Sequence, residues 1–326
     1  MAEADDGKAG SAPFYPGVET LRLLGAMAVV WAHYGKFSMP VVKFAVPCFV
    51  AISFFFGWRT IESKSPERLL KNVARLAIPF FAWGVVSYLV ALALGTKSGI
   101  APLLWQLTLG HATCMPLYYL LDMAAIMAAL FAFRRFLPVH AFWSVAGFLV
   151  LACLALQYSG LNYKAFGGLP FEAAFPLGRI AELLPAAVAG CAIAAGVPRG
   201  RGSFAAGAAL SSAAVATLLC GWLAVEKQVQ FGYAGLALFV GSAGFVLMGT
   251  AFATQNPVLR RIRSVSAATA GVYFIHTIVG DVLCRFGVRK YWPILAVSFI
   301  VTMIGLRIPL VRRAFNGRDE KPRPKA

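Results

Sequence analysis

The sequence predicts an all-α, polytopic membrane helical bundle of about ten transmembrane helices with both termini cytoplasmic, and three observations carry that prediction. Hydrophobic residues make up 60% of the chain and charged residues only 13%, about half the charged share of a soluble domain. The apolar residues fall into blocks near the ~20 residues that cross a bilayer, with a mean hydropathy of +0.73. The basic residues punctuate those blocks and are shared unevenly between alternate connections, which orients the chain.

The hydrophilic opening, residues 1–16, carries Asp5, Asp6 and Lys8 and lacks a cationic stretch followed by an apolar core. It reads as a cytoplasmic tail and not as a cleaved signal peptide. Span one covers roughly 18–35 and span two roughly 41–58, after which the polar stretch 59–73 reads as a loop. Span three covers roughly 74–94. The segment 98–112 is apolar but short, and Trp105 would sit at headgroup level, as in an interfacial or re-entrant piece. Span four, roughly 116–133, stops at Arg134 and Arg135, and span five covers roughly 139–158. The connection 159–173 holds Gly160, Gly167, Gly168 and Pro170 and is not expected to be helical. It is either a plain connector or a rim whose Tyr163 and Phe166 stack on sugar rings. Spans six, seven and eight cover roughly 174–196, 203–224 and 231–253, and spans nine and ten roughly 265–284 and 291–311. One membrane domain, 17–311, thus lies between the opening tail and a basic cytoplasmic tail, 312–326.

Ten spans put both ends on one side, and with that side cytoplasmic nineteen Lys and Arg residues fall inside against eight outside. Arg22, Arg179 and Arg307 lie within spans. The net charge of +17 is accounted for by this bias. The basic residues are expected to meet anionic lipid headgroups, and no recognition motif for nucleic acid accompanies them. The six cysteines are scattered without CxxC spacing and the four histidines are not clustered, so no metal site and no disulfide framework is expected. HExxH, GxSxG, Walker A and GxGxxG are absent.

Within span one, Arg22 and His33 are the informative pair. Eleven residues at about 100° each bring them within about 20° of one another on one helix face, roughly 16 Å apart along the axis. A cation and an imidazole inside an apolar span are costly and point to function. The face between them carries Gly25, Ala26, Val29 and Ala32. These small residues permit either close helix packing or a narrow slot, and a slot with a cation at its inner end suits an elongated anionic donor. The predicted topology also places Asp122, Arg179, Glu182 and His276 at the depth of His33, in the outer half. Arg179 and Glu182, three residues apart on one face, are spaced to neutralise one another. A shared layer of carboxylates and imidazoles has the groups that proton abstraction from a hydroxyl needs.

These residues are where the chain resembles a known family, the acyltransferase-3 membrane acyltransferases that O-acylate bacterial surface glycans. The Arg22-to-His33 spacing is similar to that family's basic residue, ten others, then His, and Tyr15-Pro16-Gly17-Val18-Glu19 resembles its opening of span one. Val46 to Phe54 resembles its FFxxSG element, with Phe54 in place of Gly. Arg75-Leu76-Ala77-Ile78-Pro79 resembles its Arg-x-x-x-Pro entry to span three. Pro116 to Asp122 resembles PLWFLRD, with Tyr118 for Trp and Leu121 for Arg, and Ser266 through His276 resembles a late SYxxYLxH element. The ordered set covers spans one to four and nine, and the departures at Phe54, Tyr118 and Leu121 leave the acceptor open.

The resemblance implies an integral-membrane O-acyltransferase of the bacterial inner membrane, with acetyl-CoA or a related acyl-CoA as donor and a glycan or lipid-linked sugar hydroxyl as acceptor. No further catalytic domain follows span ten, as in the stand-alone form. On this reading the CoA nucleotide docks near Arg22, Arg68, Lys71 and Arg75, since arginine and lysine suit phosphate. His33 is the general base or carries the acyl group itself, and Asp122 or Glu182 supports it. Tyr119, Arg179 and His276 are candidates for holding the acceptor or the thioester oxygen. The rival readings are a secondary transporter or proton-coupled carrier using the same buried layer, and a non-catalytic partner in glycan export, which has no need of so many buried ionisable groups.

Overall fold

The computed structural model describes residues 14–35, 40–95, 117–158, 171–224, 235–254, 256 and 262–316. Among these there are eleven α-helices and no strand. The helices are α1 (Pro16–Tyr34), α2 (Ala45–Ser63), α3 (Pro66–Ala93), α4 (Tyr118–Phe136), α5 (Val139–Tyr158) and α6 (Phe171–Gly196), then α7 (Arg201–Ala224), α8 (Leu236–Thr250), α9 (Ile262–Arg285), α10 (Tyr291–Gly305) and α11 (Pro309–Asn316). A 3₁₀ turn, Pro40–Phe44, leads into α2. The segment 98–112 lies outside the described residues, as does 159–170, while 171–173, expected in a connection, open α6.

Five helices are long and apolar enough to cross a membrane: Val42–Ser63, Pro66–Ala93, Val139–Gln157, Leu177–Gly196 and Arg201–Cys220. Of the other expected spans, α8 and α10 are apolar but only 15 residues long, about 22 Å. Helices α1, α4 and α9 carry charged residues within their length. Burial sorts the bundle into an inside and a perimeter. The apolar windows of α2 and α6 are 78% and 67% buried, against 22% in both α5 and α7. Helices α2 and α6 pack along one another, and Gly190 of α6 lies directly on the Ala51 carbonyl, where any side chain would collide. The perimeter helices turn large apolar side chains outward, such as Phe148 and Leu151 of α5, each about two-thirds exposed. A surface of that kind belongs in lipid and would aggregate in water.

Two expected boundaries differ. The polar stretch 59–73 is not a loop: α2 runs on to Ser63 and α3 begins at Pro66, so the turn is Lys64 and Ser65 alone. Lys64 takes the left-handed conformation (φ 53°), and Ser65 caps α3 by accepting from the Arg68 backbone N–H at 3.4 Å. Proline at the first helical position and Glu67 in the first turn complete a strong helix start. At 28 residues α3 is about 42 Å long, and its first turns extend past any ~30 Å hydrocarbon layer. The expected span 291–311 is also broken. Helix α10 stops at Gly305 because Pro309 has no N–H to continue the ladder, and α11 starts there. Helix α11 folds back onto α3: the Phe315 ring stacks on Trp83 at 4.6 Å, and Trp83 Nε1 donates to the Ala314 carbonyl at 3.1 Å. Arg312 Nε donates to the Leu306 carbonyl at 2.8 Å, so the first residues of the basic segment 312–326 continue α11, while 317–326 lie outside the described residues.

Candidate functional site

Helix α9 packs along α1, and the two meet at both ends. At one end Ser266 Oγ of α9 donates to Glu19 Oε2 of α1 at 2.5 Å. At the other the rings of His276 and His33 lie 5.1 Å apart. Contacts in the order 19 to 266 and 33 to 276 mean that the helices run parallel.

At the first end Glu19 is buried and pairs with Arg22 one turn on, Nη1 to Oε2 at 3.2 Å. The guanidinium also lies over the Phe56 ring, 5.3 Å from its centroid. Phe56 is 45% exposed, so this cation and ring face open space. Arg199, at the mouth of α7, lies over Tyr15 at 5.1 Å and Phe55 at 5.7 Å. On α3, Arg75 Nη1 donates to Asn72 Oδ1 at 2.7 Å, and Asn72 Nδ2 donates to Thr60 Oγ1 of α2 at 2.6 Å. Thr60 is one turn from Phe56, so Arg75 is held on the same end of the bundle as Arg22. Arg68 and Lys71 are exposed on the first turns of α3, and no ion pair or hydrogen bond among the described residues joins them to Arg22.

The other end holds two imidazoles, and among the described residues no carboxylate is bonded to either. His33 is exposed in the last turn of α1, whereas His276 is fully buried. Nδ1 of His276 is 2.8 Å from the Tyr273 carbonyl and 3.2 Å from that of Val272. Both partners only accept, so Nδ1 carries the proton and Nε2 presents a lone pair. That Nε2 is buried and has no hydrogen-bond partner among the described residues. Tyr34 packs its hydroxyl end over Gly280 and its ring 6.4 Å from His276. Below His276, Tyr273 takes the Tyr119 ring edge-on at 4.8 Å.

Asp122 and Arg179 are brought together, but not to His33. Arg179 Nε lies 3.0 Å from Asp122 Oδ2, and Arg179 Nη2 donates to Oδ1 at 3.2 Å. This is a buried ion pair with one hydrogen bond, joining α4 to α6, and both side chains are 4% exposed or less. Arg179 and Glu182 stand three residues apart on α6, and the Arg179 guanidinium reaches across to Asp122 on α4. Glu182 is buried one turn further along α6. Among the described residues no hydrogen bond or ion pair joins His33 to Asp122 or Glu182, and the group beside His33 is His276.

Sequence spacing singled out neither Glu19, Arg199 nor Phe49. Glu19 could have been found from its i, i+3 relation to Arg22. Arg199 had only its place in a basic connection, and Phe49 nothing to separate it from ordinary apolar packing. Phe49 fills the space beside Gly25, where a Cβ would lie 3.0 Å from the ring. On the small-residue face between Arg22 and His33, Gly25 is therefore packed against an aromatic ring.

The acyltransferase-3 family model, described as an acyltransferase domain, matches residues 15–307, a stretch that holds every residue named in this site. No curated protein and no solved structure matches the chain at a significant level.

Proposed function

Since the chain belongs to the acyltransferase-3 family and is a membrane acyltransferase, we propose that it moves an acyl group, acetyl foremost, from cytoplasmic acyl-CoA to a hydroxyl of an extracytoplasmic glycan or lipid-linked sugar. The observation that carries this reading is the α1–α9 seam, with a guanidinium at one end and an imidazole pair at the other. The protein sits in the bacterial inner membrane with ten crossings and both termini inside. The Arg22 end then faces the cytoplasm, where acyl-CoA is made, and the His33 end faces outward. The parallel course of α1 and α9 agrees with spans one and nine crossing in the same sense.

Arg22 and Arg199 receive the CoA phosphates, and the exposed Phe56 ring beside Arg22 offers the adenine a stacking face. Arg68, Lys71 and Arg75 extend the positive field along α3. The pantetheine arm runs along the seam and brings the thioester toward His33, roughly 16 Å from Arg22. There a neutral His33 takes the proton of the acceptor hydroxyl as its oxygen attacks the thioester carbonyl. The tetrahedral oxyanion collapses with loss of CoA thiolate, and the imidazolium returns the proton to that sulfur. The products are an O-acyl ester and free CoA, and the imidazole is regenerated. His276 holds its proton on Nδ1, so its Nε2 can accept from the His33 ring and stabilise the imidazolium. Asp122 and Arg179 fix α4 against α6. No metal takes part in the scheme.

The test is the ester-linked acyl content of surface glycan in a deletion strain complemented with wild type or His33→Ala at equal membrane levels. Wild type is expected to restore the esters and His33→Ala to leave about 10²–10⁴-fold less transfer. Equal restoration by both would show that His33 is structural. A carrier would move its solute without thioester cleavage, so acyl-CoA-dependent release of free CoA by isolated membranes separates the two readings.

A further inference from the structure

The two ends of the seam are separated by one ring. Phe49 projects from α2 between α1 and α9, lying against Gly25 on one side, with its Cε2 and Cζ 3.0 Å from where a Cβ would stand. On the other side it meets Tyr273 edge-on at 5.6 Å, and Tyr273 is in turn backed by Tyr119 at 4.8 Å. Gly25 is about 4.5 Å along α1 from Arg22 and about 12 Å from His33, so the ring stands inside the stretch that a donor must cover. Phe49 is only half-buried, while Tyr273 and Tyr119 are buried and held. Of the three rings it is therefore the most exposed, and it rests on a position that carries no side chain.

From this geometry we infer that Phe49 is the residue that sets which acyl groups the enzyme accepts, resting on the reading that the thioester travels from Arg22 to His33. The ring turns aside to admit a thin acyl thioester such as acetyl and collides with a branched one. Tyr273, buried and backed by Tyr119, closes the far side of the ring, and the limit is set by Phe49. The ring makes and breaks no bond in the reaction. It acts on the donor before the carbonyl reaches the imidazole.

Membranes containing the full chain are incubated in parallel with radiolabelled acetyl-CoA and isobutyryl-CoA, and alkali-labile label in the glycan fraction is counted. Wild type should strongly favour acetyl. Phe49→Ala should raise the isobutyryl-to-acetyl ratio at least about tenfold, the discrimination expected for a side-chain-sized steric block. Phe49→Leu should raise it by less, and Gly25→Ala, which presses a methyl onto the ring, should lower it. Both donors meet the same enzyme molecules, so loss of folded protein cancels from the ratio. An unchanged ratio in Phe49→Ala and Phe49→Leu overturns the inference, as does loss of both transfers in both variants, which would make the ring purely structural. A wild type that accepts both donors equally also overturns it. If wild type transfers label from neither donor, the acyl-CoA reading itself fails, and the inference with it.

Discussion

Breaking the Asp122–Arg179 pair from either side is expected to destabilise the bundle by about 3–5 kcal/mol, whereas removing both residues together is not. The pair makes two contacts, 3.0 and 3.2 Å, between side chains that are 4% and 3% exposed. Each ion has already lost its hydration, and their attraction offsets that loss only while both are present. In Arg179→Met the Asp122 carboxylate keeps its desolvation cost and loses its counter-charge. In Asp122→Leu the guanidinium is left in the same position. The double variant Asp122→Leu/Arg179→Met removes both costs along with the attraction, and its stability should return to the wild-type level or exceed it. Polytopic proteins unfold irreversibly, so the assay is a rate: the half-life of monodisperse protein in detergent at a fixed raised temperature. Acyl transfer in the double variant then separates two roles for Asp122. A clamp between α4 and α6 predicts a stable and active double variant, while a carboxylate serving His33 predicts a stable and inactive one. A half-life of Arg179→Met equal to wild type would refute the clamp, and a stable but inactive double variant would refute the assignment of Asp122 to architecture.

Two further outcomes are expected. His276→Phe should lower turnover at least about tenfold with little change in KM for acyl-CoA, because His276 lies beside His33 and far from the CoA end; an equal rise in KM would place it in donor binding instead. Arg22→Ala should do the reverse, raising KM for acyl-CoA more than it lowers kcat, and Arg22→Lys should restore only part of the loss, since a point charge replaces a fork. A KM unchanged in Arg22→Ala would show that the guanidinium serves only Glu19.

Helical periodicity carried much of this site because it is local. The eleven residue steps from Arg22 to His33 set their shared face whatever surrounds α1. Depth along each span brought His33 and His276 to one level, as it did Asp122 and Arg179. It carries no information on the azimuth of one helix about another, and partners were therefore not legible. Asp122 lies on a different helix from Arg179, and only the packing of α4 on α6 brings the two together. The start of α3 was written in Ser65-Pro66-Glu67, a capping signal that the polarity of 59–73 obscured. The break before α11 was likewise marked by Pro309 inside an otherwise apolar run. Phe49 was beyond reach for a different reason: an aromatic residue on an apolar helix looks the same whether it fills a core or bars a passage.

The seam between α1 and α9 has a consequence for how the protein is made. Glu19 and Ser266, which close one end of it, are 247 residues apart in the chain. Helix α1 is synthesised before α9, and neither end of the site exists until α9 has followed. At roughly 5–20 residues per second, that interval is on the order of ten seconds to a minute. Through it, Glu19, Arg22 and His33 wait in a partial bundle that lacks Ser266 and His276. Glu19 and His33 thus meet their partners across the seam only once α9 has been made, and a chain interrupted before α9 carries both residues without Ser266 or His276.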